Sequence, residues 1–78
     1  MENVSLSDIR IPSRDELSSS RLSSLENGYD SFETQLNSSS DPIALDRSGG
    51  RPYRIINGRH RVYLAYQKGY SSVPVVFT

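Results

Sequence analysis

Apolar side chains recur along the chain in short bursts, and their spacing shifts between period two and the three-or-four step of a helix. Val4, Leu6, Ile9 and Ile11 alternate with one slip near Ser7-Asp8, which predicts a bulged strand ended by Pro12. Ser13-Arg14-Asp15-Glu16 has capping-box spacing, with Ser13 as N-cap and Glu16 at the third helical position. Leu17, Leu22 and Leu25 then supply an apolar stripe, and Asn27-Gly28 stops a helix that its five serines weaken. Asp30 to Glu33 repeats the capping-box spacing, and Phe32 and Leu36 lie one turn apart, so a short second helix follows. After a polar loop at 37–41, Pro42 to Leu45 and Tyr53 to Ile56 read as the two strands of a hairpin turned at Ser48-Gly49-Gly50. A helix over 59–68 places Val62, Ala65, Tyr66 and Gly69 on one face, with Leu64 packing on another neighbour. Val73 to Phe77 is a final buried strand whose Pro74 favours an edge or first-residue position. The order β, α, short α, hairpin, α, β predicts one compact α/β (α+β) domain over residues 1–78, a mixed sheet with two to three helices.

Size and charge narrow the chemistry. A chain of 78 residues buries only part of its surface, so its stability is marginal unless it docks on something. It has no cysteine, which removes disulfides and thiol chemistry. Nine basic and nine acidic residues cancel, against a protein that coats nucleic acid by bulk charge. The cancellation is uneven: Arg47 to Lys68 holds six basic residues and no acid, which predicts a local basic face. No apolar run approaches the ~20 residues of a membrane span, and the N-terminus lacks a signal pattern. The expected compartment is the cytoplasm of the producing cell, and a domain delivered into another cell would look the same. Fifteen serines, clustered at 18–20, 23–24 and 38–40, predict a solvated N-terminal half.

The candidate chemistry lies at Asn57-Gly58-Arg59-His60-Arg61. A strand that ends in Gly and opens a helix leaves a cup of unpaired backbone N–H groups carrying the positive end of the helix dipole. Cations on that first turn oppose the dipole by about 0.3–1 kcal/mol each, so three together call for an anion, most simply phosphate. A plain Asn-Gly hairpin turn fits less well, because the residues after it follow a helical pattern. Two roles stay open for His60, the sole histidine: a general acid or base, or a neutral residue that shapes the loop. A lone histidine cannot build a His-cluster metal site. Arg61 can present a fork of donors to phosphate or pair with a surface acid. Glu16 and Glu33 read as caps and Asp41 as a turn former. Tyr63, Tyr66 and Tyr70 read as packing residues before base-stacking ones.

The run Pro42-Ile43, the hairpin, Ile55 to Arg61, the alanine-containing helix, Gly69 and Val73-Pro74-Val75 resembles the ParB/sulfiredoxin superfamily. The likeness is closest to its ParB-like nuclease branch, whose motif is Gly, a variable residue, then His-Arg. Asp8 to Pro12 resembles the family's opening strand. The resemblance implies that Asn57, Gly58, Arg59, His60 and Arg61 bind the phosphates of a nucleotide or nucleic acid, and that Arg14 adds a phosphate contact. Sulfinic-acid repair would need a loop cysteine that this chain lacks. The helical region that completes a ParB nucleotide clamp is not part of this sequence.

Three functions follow as expectations. In the first, a small nuclease or nucleotide phosphohydrolase uses His60 and Arg61 catalytically, with a magnesium or manganese ion held by one of Asp15, Glu16, Glu33 or Asp41. In the second, the same loop holds a nucleotide or nucleic acid without turnover. In the third, the chain is a regulator that binds a protein partner.

Overall fold

The computed structural model describes residues 1–28 and 30–78. Four strands form one mixed sheet: β1 (Glu2–Ser5), β2 (Ile43–Asp46), β3 (Arg54–Asn57) and β4 (Ser72–Phe77), in the order β1-β4-β2-β3. β1 and β4 are antiparallel, β4 and β2 parallel, and β2 and β3 form the expected antiparallel hairpin, with a register shift between Ala44 and Leu45. Among the described residues, three α-helices complete the fold: α1 (Ser19–Asn27), α2 (Phe32–Leu36) and α3 (Arg59–Gln67). Among the described residues, no helix is long and apolar enough to cross a membrane. The mixed α+β class is therefore as the periodicity predicts.

One core joins sheet and helices. Ile43 and Leu45 of β2 and Val73 and Val75 of β4 are fully buried with Val62 and Ala65 of α3, and Leu36 of α2 and Val4 close its sides. A second cluster, Leu17, Leu22 and Leu64, ties α1 to α3, with Tyr63 and Leu25 against it. Leu64 thus packs on a neighbour outside the main face, as expected, and that neighbour is α1.

Several boundaries differ from the sequence reading. The first strand is not continuous: a 3-10 turn over Leu6–Asp8, entered through Ser5, buries Leu6, and Ile9 then makes an isolated parallel bridge to Tyr53. The Ser13–Glu16 capping box exists, with Ser13 N–H donating to Glu16 at 2.8 Å, yet it caps only the 3-10 turn Arg14–Glu16. Leu17 leaves helical geometry to reach the second cluster, and α1 starts afresh from Ser18, whose hydroxyl accepts from Arg21 N–H. The cap of α2 is Ser31 rather than Asp30, its hydroxyl accepting from Thr34 N–H at 3.2 Å. Pro74 lies inside β4, opposite Asn3, and β4 is a central strand and not an edge. Tyr66 faces solvent, because the buried arc of α3 runs through Arg61, Val62, Leu64 and Ala65.

Candidate functional site

β3 runs into α3 through Gly58, which is the N-cap of the helix in the left-handed region (φ 93°). A β-carbon there would lie 2.9 Å from Ile43 Cγ1 and 3.0 Å from an Arg61 guanidinium nitrogen, so the loop packs too closely on the core for any side chain. No side chain caps α3, and its first turn has no acid, so the helix opens with its N–H groups toward a cleft. The cleft, about 640 Å³, lies between the outer edge of β3 and α1. Ile55, Ile56 and Asn57 form one wall, Ser18, Arg21, Ser24 and Leu25 the other, and Gly58 to Arg61 the end.

The predicted residues come together only in part. Arg59 is exposed at the mouth, and among the described residues it makes no ion pair. Arg61 turns inward and is only 6% exposed. Its Nη1 donates to the carbonyls of Gln35 (3.0 Å) and Asp41 (2.7 Å), and its Nη2 lies 3.6 Å from the Asp41 carboxylate. Burial lowers its pKa and Asp41 raises it; as a guanidinium it remains charged. Asn57 is also engaged, its Nδ2 donating at 2.8 Å to both the Asp41 carboxylate and the Pro42 carbonyl. Asp41, read from sequence as a turn former, therefore fastens the loop and the helix start together. Arg14 does not line the cleft, and its guanidinium donates to Ser19 Oγ at 2.8 Å.

His60 is half-buried, and its Nε2 accepts from Ser18 N–H at 3.0 Å. Burial is the main reason its pKa falls below the ordinary 6.5, and the positive charges of Arg21, Arg59 and Arg14 lower it further. The imidazole is thus held neutral, with its outer nitrogen already engaged.

Arg21 and Ser24 were not singled out by the sequence reading, and Leu25 entered it only as part of an apolar stripe. Their i, i+3, i+4 spacing beside the Leu22 stripe is the signal that puts them on one face. Among the described residues, Asp41 is the one carboxylate lining the cleft, and its oxygens hold Asn57 and Arg61. No group of three His, Cys, Asp or Glu converges among them. The arrangement can hold an anion between Arg21, Arg59 and the open turn of α3. The chain matches no protein-family profile, no curated protein sequence and no solved structure.

Proposed function

We propose that this domain binds the phosphates of a nucleotide or nucleic acid in the cleft between α1 and β3, without turning them over. The carrying observation is the convergence of Arg21 and Arg59 on an uncapped helix start, in a cleft whose one acid is already paired. The likeness of residues 42–77 to ParB-like domains points the same way. Binding is favoured over hydrolysis because His60 Nε2 accepts a backbone N–H and Asp41 is committed to Asn57 and Arg61. Arg61 then acts as the strut of the site, and Arg21 replaces it as a phosphate contact.

The test is titration with pyrophosphate, a nucleoside triphosphate and a short single-stranded oligonucleotide, followed by calorimetry or amide shifts. Arg21→Ala and Arg59→Ala each remove a charge-assisted contact of ~1.5–3 kcal/mol and should weaken binding by about ten- to hundredfold with the fold intact. Equal affinity in both variants refutes the reading. Product formed with magnesium or manganese, and abolished by His60→Ala, would replace it with the nuclease or phosphohydrolase.

A further inference from the structure

We propose that His60 is a positioning residue: the lone pair on its Nε2 latches the cap of α1 to the first turn of α3 and so sets how Arg21 faces Arg59. The inference deepens the phosphate-binding reading and rests on it for its ligand arm only. Ser18 and His60 are 42 residues apart in sequence, and their contact is 3.0 Å. Ser18 is also the N-cap of α1, and its hydroxyl accepts from the backbone of Arg21. Among the described residues, no other side-chain hydrogen bond joins α1 or its cap to α3; the two are otherwise joined by the apolar contact around Leu22 and Leu64.

A nitrogen that accepts from a backbone N–H carries no proton, so the latch requires the neutral Nδ1–H tautomer. Protonation would set two donors facing each other. Among the described residues, the charged groups that act on the ring are all cations: Arg14 from the 3-10 turn, Arg21 from α1 and Arg59 from α3 itself. On the sheet side, the carboxylate of Asp41 is turned to Asn57 and Arg61. Among the described residues, none of these neighbouring groups stabilises an imidazolium in the free protein. Acid therefore opens the latch and frees the end of α1 that carries Arg21. Affinity for an anion then falls as pH falls, although the protein gains positive charge, which is the reverse of what simple attraction gives.

The sole histidine makes the ring directly observable by NMR. At neutral pH the ring should be the Nδ1–H tautomer, and the Ser18 amide should shift along the His60 titration curve. A thymidine oligonucleotide is the ligand probe, because its phosphodiesters do not titrate in the range of about pH 5–8 where histidine does. Its affinity should drop about tenfold or more as His60 protonates. His60→Ala should show the low affinity at every pH, whereas His60→Gln, which keeps an acceptor, should restore binding and remove the pH dependence. Ser18→Pro deletes the N–H and should bind about tenfold more weakly than Ser18→Ala, which loses the same hydroxyl but keeps that donor. An Nε2–H tautomer, a Ser18 amide indifferent to His60, or affinity that rises as pH falls overturns the latch. Absence of oligonucleotide binding with the Ser18–His60 titration intact supports the latch and overturns the phosphate reading.

Discussion

Gly58 carries the tightest constraint on any single residue of the site. Its φ of 93° disfavours every L side chain, and the atom a β-carbon would strike belongs to Ile43, which is fully buried and cannot yield. Gly58→Ala should therefore cost about 2–4 kcal/mol, the sum of left-handed strain and overpacking, measured as a lowered midpoint in urea unfolding. An alanine variant as stable as the parent would mean that the loop is not seated on the core. This glycine was legible in the sequence, since Asn-Gly at the end of an apolar run demands a turn. The inward course of Arg61 was harder to see. A cation on a first helical turn reads as solvated or ligand-facing, yet Arg61 shares the helical spacing of Leu64 and Ala65. That shared face draws it under Gln35 and Asp41, whose carbonyls it satisfies.

At the scale of elements, α1 is held by little buried surface. Leu22 is its one buried residue, whereas the central strands β2 and β4 bury three and two. Removing a buried leucine side chain costs about 2–5 kcal/mol, and here the loss falls on a helix with little else to hold it. In Leu22→Ala, amides of Ser19–Asn27 should lose hydrogen-exchange protection while those of Ile43–Asp46 and Ser72–Phe77 keep theirs relative to one another. Uniform loss across the chain would show that α1 belongs to the same cooperative unit as the sheet. The three helices and the hairpin could be read from spacing and caps. Two features could not. The capping box at Ser13 predicts where a helix starts, but Leu17 is pulled into the cluster with Leu22 and Leu64, and that tertiary contact ends the turn after three residues. Pro74 argues for an edge through its missing N–H, but the apolar run Val73 to Phe77 is the most burial-seeking strand of the chain, and it takes the middle.

For the whole molecule, the ionisable groups predict that acid lowers stability through two kinds of group. A histidine whose folded pKa lies below its ordinary 6.5 binds fewer protons folded than unfolded in the window between those values. Stability is therefore full above 6.5 and falls as pH drops from there to the lowered folded value. Glu16, Asp15 and Asp46 are held below their ordinary 4.5, 3.8 and 3.8, chiefly by hydrogen bonds from Ser13 to the first two and from Ser48 to the third. Their contribution is present above those values and is lost on further acidification. Thermal melts across this range should show both slopes, and His60→Gln should flatten only the upper one. A parent chain whose Tm is level from neutrality down to the carboxylate range would contradict the lowered histidine. The strand order has another consequence, for how the chain is made. β1 and β2 are separated by β4, the last element in sequence, so a nascent chain that has delivered residues 1–71 still has no completed sheet. The hairpin and helices can form early, but the first strand must wait beside no partner until synthesis reaches Phe77. Until then the facing edges of β1 and β2 lack their partner, and other chains can compete with β4 for the same hydrogen bonds.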